Sequence, residues 1–401
     1  MTTTDETRSI PASRGAAADV EEISVIPPVD GALETDLDAG EDGDDARFRP
    51  GTGGWFARGL VWLFLAWVVL AFPVNRFSPY EVGVADIDVA SLAVIYAIGG
   101  LSLNVLLGYA GQISLGHQAF VGLGAFASAY VVTNLQLSFW LAVAVAAAFG
   151  AVQATLLGAI SLRLSGLYFA LVTLAYGTFA EETLFGIAAI TGGEGGKPAP
   201  RPLGFEDGYS YYYLCLGFLA LVLWIDWRLT RTKGGRALNA LRENPRVASS
   251  YGINVKAYIL LAFAVSGIFA GVAGSLMAHH DEVIVGSSFD FELALLFVLM
   301  TVVGGLRDRV GVVIGSVFFA MLGEGRLVSL LHLEGFFEGW LGLPVDFVAL
   351  VVGPILLLLT ITMYPGGIGQ QVAPIRVWLT GHRFDRHAGE LNEVEVNDVR
   401  A

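Results

Sequence analysis

Long apolar runs separated by short polar stretches dominate this chain. They lie near residues 55–75, 86–107, 113–133, 137–160, 165–190, 211–229, 257–279, 289–306, 309–330 and 346–364. Each approaches the ~20 residues that carry a helix across a ~30 Å hydrocarbon core. The run "LAVAVAAAFGAVQATLLGAI" shows no apolar/polar alternation, which a membrane β-barrel strand requires. The pattern therefore predicts an all-α polytopic integral membrane helical bundle of about ten transmembrane spans.

The basic residues between the runs orient the bundle, because Lys and Arg gather on the cytoplasmic side. The densest group is "RLTRTKGGRALNALRENPRVASSYGINVK", residues 228–256, with seven basic residues against one Glu. Counting spans outward from it puts Arg163, Arg307, Arg309 and both termini on that side. Segments 191–209, 279–288 and 332–344 fall outside.

Composition agrees. The chain is 55% hydrophobic and 15% charged, where a soluble domain holds roughly 25% charged residues. The net charge of −14 is uneven: residues 1–50 carry thirteen Asp/Glu and four Arg, a net of −9. Without apolar periodicity they read as a disordered acidic tail. The transmembrane domain is expected at 51–370, and a cytoplasmic tail at 371–401. Cys215 is the only cysteine, which rules out an internal disulfide, a zinc–cysteine site or an iron–sulfur cluster.

Two stretches carry candidate chemistry. In "GYAGQISLGHQAFVGLGAFASAY", residues 108–130, polar groups and glycines interrupt an apolar run. Non-helical backbone inside a membrane survives only where it is buried in protein or lines a cavity. Gly111, Gln112, Ser114, Gly116 and His117 are therefore candidates for a broken helix lining a translocation path. Packing by small residues is the competing account. Glu181, an intramembrane acid in "FAEETLF", joins the path candidates, since such groups face the bundle interior by default. The cluster His279, His280, Asp281 and Glu282 reads as a solvated outer loop.

The second stretch is the basic loop, 234–255. Leu238 and Leu241 form a narrow apolar stripe beside Arg242. Asn244 offers an N-cap, Pro245 suits the first helical position, and Gly252 suits a helix stop. This predicts a short helix over 245–251 that presents Val247 and Tyr251, with Ala248 between them. Such a helix either lies on lipid headgroups or seats in a partner protein.

Residues 235–276, "GRALNALRENPRVASSYGINVKAYILLAFAVSGIFAGVAGSL", resemble the ATPase-coupling loop and following span of branched-chain amino-acid ABC importer permeases, the LivH/LivM family. "GYAGQISLGHQAF", "TGGEGG" (191–196) and "LLFVLMTVVGGLRDRVGVVIGSVF" (295–318) are similar to further signatures of that family, in the same order. Glu181-Glu182 depart from it, since the family usually follows a Glu here with an Arg. The resemblance implies a permease subunit in a prokaryotic plasma membrane, forming half of a channel with a second homologous permease. It also implies two ABC ATPase subunits that use ATP and Mg, and an extracytoplasmic solute-binding protein. No cofactor bound by this chain and no nucleic acid are expected: "GGEGGKP" has Pro198 where a phosphate loop needs Ser or Thr. Urea or short amides are the alternative cargo, and a secondary carrier the alternative class. An enzyme is disfavoured, because Ser114 and His117 have no GxSxG context.

Overall fold

A computed structural model describes residues 58–63, 84–164, 166–330, 348–364 and 366–379. The acidic segment 1–50, most of the run 55–75 and residues 380–401 lie outside them. The described chain is helical apart from loops and one two-residue strand pair. Its helices are α1 (Val84–Asn104), α2 (His117–Thr133), α3 (Phe139–Ser161), α4 (Leu167–Phe179), α5 (Ala188–Thr191), α6 (Gly208–Arg231), α7 (Lys233–Glu243) and α8 (Pro245–Ser250). They continue with α9 (Val255–Asp281), α10 (Phe291–Gly304), α11 (Arg309–Gly323), α12 (Arg326–Leu330), α13 (Val348–Met363) and α14 (Gly367–Leu379). Strand β1 (Lys197–Pro198) pairs antiparallel with β2 (Val283–Ile284).

Five helices among the described residues are long and apolar enough to cross a membrane: 87–109, 139–160, 208–231, 255–281 and 286–304. Shorter apolar helices occupy 309–323 and 351–360. Two expected spans are interrupted. The run 113–133 becomes helical only at His117, and the run 165–190 ends its regular helix at Phe179, continuing as a π turn at Ala180–Leu184.

Two helices form the heart of the bundle. In α1 with its continuation, 89% of the apolar window is buried, against 33% for α6. Helix α1 packs against α6, α9, α10 and α11, and α9 packs against α1, α2 and α3. Glycine permits these approaches. A Cβ on Gly271 would strike the carbonyl of Ala146 in α3, and one on Gly274 would strike the carbonyl of Val121 in α2. In lipid, where apolar surface gains little by leaving its solvent, such backbone proximity supplies the dispersion contact that holds helices together. Helices α10 and α11 form a hairpin in the same way, Gly304 lying on the backbone of Gly311.

Helix α14 crosses residue 370, where the sequence places the start of a tail. Gly367, Gly369, Ala373 and Pro374 are buried, and Arg376 Nη1 bonds Asp308 Oδ2 at 2.8 Å. The packed body therefore runs to at least Leu379.

Candidate functional site

The site is built around a break between α1 and α2. After Asn104 the helix widens into a π turn, Val105–Tyr109, and residues 110–116 are not helical. Gln112 N–H donates to Leu106 O at 2.9 Å instead of to the carbonyl four residues back. Gly111 sits at φ +66, a region that glycine enters without a Cβ penalty. Gly116 must also lack a side chain, because a Cβ there would collide with the Thr173 carbonyl.

Two other elements satisfy backbone freed by the break, and a side chain at its edge ties it to a third. Leu115 N–H donates to Thr173 Oγ1 in α4 at 2.9 Å. Arg242 Nη1, from α7, donates to Gly108 O at 2.7 Å. Asn104 Oδ1 accepts from Arg307 N–H in the α10–α11 turn at 2.9 Å.

The break gathers most of the predicted path residues. Gly111 is exposed, Gln112 half-buried, and Ser114, Gly116 and His117 buried. His117 opens α2, with Nε2 2.9 Å from Ser102 Oγ and its ring edge-on to Phe120 and Phe297. Ser102 in turn donates to Ser266 O at 2.7 Å. With its one proton given to that carbonyl, Ser102 accepts from His117 Nε2–H, which leaves Nδ1 as the bare acceptor.

Gln118 was not among the candidates. It is fully buried, and neither its amide oxygen nor its nitrogen finds a partner among the described residues. The same holds for Ser114 Oγ and His117 Nδ1. Orphaned polar atoms are rare in protein interiors, so a cluster of them calls for water, ligand or a second conformation.

Glu181 does not join this group. Its neighbours are instead Asp290 and the Phe291 backbone at the start of α10. A carboxylate near a helix N-terminus complements its dipole. Asp290 and Glu292 also line a cavity of about 300 Å³ with Tyr96, Ser287, Ser288 and Leu299.

The basic loop has two parts with different fates. In α7, Leu238 and Leu241 are buried against this chain's own α6, α9 and π turn, which corrects their reading as a surface stripe. The i, i+3 stripe seals the end of the bundle. Helix α8 is as expected: Asn244 Oδ1 caps it by accepting from Arg246 N–H at 3.1 Å and Val247 N–H at 3.2 Å. Gly252 follows at φ +77. Ala248 is buried, while Val247 is 50% and Tyr251 82% exposed, together.

Beside the loop lies an ion pair that the charge count did not single out. Asp226 in α6 is fully buried, pairs with Arg309 and accepts from Tyr109 O–H at 3.0 Å. Arg309 also bonds Thr230 Oγ1. An acid in "LWIDWR" near a span end was the available signal.

At the opposite end, His279 corrects the solvated-loop reading. It is fully buried. Its Nδ1–H donates to Pro200 O at 2.7 Å, and Nε2 lies 3.1 Å from Ser128 Oγ. Arg201 reaches His280 O at 3.2 Å and Glu282 at 3.3 Å. These contacts clamp the 196–201 segment, which carries β1, onto the end of α9. Among the described residues no group of three His, Cys, Asp or Glu could hold a metal ion.

Apolar helices of spanning length, interrupted by a buried polar break, define a multi-pass helical membrane protein. The chain belongs to the family described as the permease component of branched-chain amino acid transport systems, whose model matches residues 87–360. The LivM permease protein of the high-affinity branched-chain amino acid transport system of Escherichia coli K12 is 31% identical over 274 residues. That alignment covers 61% of this chain and 64% of the relative, so the match spans slightly under two thirds of LivM. A probable LivH permease of Methanocaldococcus jannaschii is 31% identical over 37% of this chain and 45% of its own. The nucleoside ABC transporter permease NupC of Lactococcus lactis is 26% identical over 75% of this chain and 96% of its own.

Proposed function

We propose that this chain is the membrane permease subunit of an ABC importer for branched-chain amino acids, in a prokaryotic plasma membrane. It supplies half of the translocation path and takes its power from separate ATPase subunits. The observation that carries this reading is α8: a capped helix on the basic end that keeps Val247 and Tyr251 in the open while Leu238, Leu241 and Ala248 of the same loop are buried. An exposed aromatic beside an exposed aliphatic is the composition of a docking surface. The positive-inside rule puts that end in the cytoplasm, and with it the ATPases. Ten spans and cytoplasmic termini complete the topology.

The remaining partners are a second homologous permease and an extracytoplasmic solute-binding protein, which delivers cargo. The break at 105–116, with Gln112, Ser114, His117 and Gln118, lines the path. The relatives' cargo varies, nucleosides among them, so substrate is tested directly.

The test reconstitutes the chain with its partner subunits in proteoliposomes, loaded with ATP. Leucine uptake is compared with uptake of urea and adenosine. ATP-dependent leucine uptake that disappears in Val247→Asp/Tyr251→Asp, with the chain still inserted, supports the reading. Uptake by the chain alone under an ion gradient makes it a secondary carrier and ends this proposal.

A further inference from the structure

We propose that Arg242 is the positioning residue that carries motion of the cytoplasmic loop into the transmembrane break. The inference rests on the importer reading above and assigns a mechanical role within it.

The geometry is specific. In a regular helix the Gly108 carbonyl would accept from the N–H of residue 112. Here Gln112 N–H is given to Leu106 O, and the freed Gly108 carbonyl takes the Arg242 guanidinium at 2.7 Å. The aliphatic stem of Arg242 lies against Gly111, where a Cβ would sit 3.2 Å from Arg242 Cγ. One side chain thus reaches the break at two points three residues apart. A charge-assisted bond to a carbonyl stripped of its helical partner is directional and strong.

Both ends of the link have neighbours suited to transmission. Arg242 sits in the last turn of α7, two residues before the α8 cap at Asn244. Movement of α8 therefore displaces Arg242 directly. Beyond Gly111 the chain runs through Ser114 to His117 and Gln118, the orphaned polar group in the bundle. The site is not relaxed for a cation. Burial holds the Arg242 guanidinium below its usual range, and Arg307 pushes it the same way, with Glu243 opposing.

The link also differs from its neighbour. Asn104 binds Arg307 N–H in the α10–α11 turn, which joins two parts of the membrane body. Arg242 alone, among the side-chain bonds described for the break, arrives from the cytoplasmic loop.

The experiment uses the assembled complex in proteoliposomes with leucine as the probe. Leucine imported per ATP hydrolysed is compared for wild type, Arg242→Lys and Arg242→Met. The methionine keeps apolar contact with Gly111 and deletes the charge. Arg242→Met should still assemble and still hydrolyse ATP in response to loaded receptor. Its leucine per ATP should fall about tenfold, within the ~5–150-fold range typical of coupling between sites, and Arg242→Lys should recover part of it. Unchanged leucine per ATP in Arg242→Met overturns the proposal. So does a parallel fall of hydrolysis and assembly, which marks a purely structural residue. A wild-type complex without ATP-driven uptake ends the importer reading instead. The link is then judged by amide exchange across 105–116 in the lone chain: faster exchange in Arg242→Met supports it, and unchanged exchange removes it.

Discussion

Gly150 of α3 and Gly267 of α9 face each other so closely that a Cβ on either would strike the carbonyl oxygen of the other. The contact is backbone on backbone, so neither side can rotate away. Gly267→Leu should therefore force α3 and α9 apart, beyond the ~1–3 kcal/mol of ordinary overpacking. The thermal midpoint of the purified chain in detergent should drop clearly, whereas Gly217→Leu, with open space around it, should leave it nearly unchanged. Equal midpoints for the two variants would show that α9 is not held by close approach.

The buried pair at the basic end gives a prediction by difference. Removing one partner of a buried ion pair strands the other charge, at a cost of about 3–5 kcal/mol, while neutralising both is far milder. Arg309→Met leaves Asp226 with only Tyr109. It should lower the midpoint strongly, and Asp226→Asn should restore most of the loss in the double variant. If the double variant is no better than Arg309→Met, Asp226 and Arg309 do not act as a pair in the membrane.

Much of this was legible in the sequence, for identifiable reasons. Periodicity and apolar length report burial in lipid, so the helical class and five helices of spanning length could be read directly. The α8 cap could be read because Asn-Pro and a terminal glycine act locally on their own backbone. The break was legible as a conflict: glycines and amides at 111–118 oppose the surrounding helix. What could not be read was which buried surface belonged to which neighbour. Leu238 and Val247 are both apolar residues in a basic loop, yet one is sealed against the bundle and the other is open. Only the path of the chain decides that. Glu181 and Asp226 show the same limit, since an intramembrane acid's partner comes from a distant helix. His279 was misread because a charged-looking loop segment can still close over a histidine when a second segment, here 196–201, crosses it.

That crossing gives a third prediction. His279 holds Pro200 through one hydrogen bond, beside the β1–β2 pair. Losing a buried bond of ~1 kcal/mol should raise the open population of the 196–201 segment about fivefold. The measurement is maleimide labelling of Lys197→Cys in a Cys215→Ala background, since Lys197 is buried in the closed form. His279→Ala should label about fivefold faster than its parent. Identical rates would mean that the strand pair and the Arg201 contacts keep the segment shut without His279.

The last prediction concerns Gln118, where stability and function should move in opposite directions. Both of its amide atoms are buried without partners, and each such group costs roughly 1–3 kcal/mol. An apolar side chain of similar size removes that cost, so Gln118→Leu should raise the thermal midpoint of the chain. A residue kept only for packing would then be improved by the change, and transport would be unaffected. If Gln118 instead meets cargo or water when the path opens, the same variant should lose leucine uptake while gaining stability, a trade expected where strained groups serve function. Gly177 supplies a second variant: a Cβ at 177 would lie 2.7 Å from Gln118 Nε2 and 2.8 Å from the Gly116 Cα. Gly177→Ala should therefore displace the amide, press on the break at Gly116 and reduce uptake with no gain in midpoint. A stabilised Gln118→Leu that transports at the wild-type rate would reduce Gln118 to a packing defect and move the path elsewhere along the break.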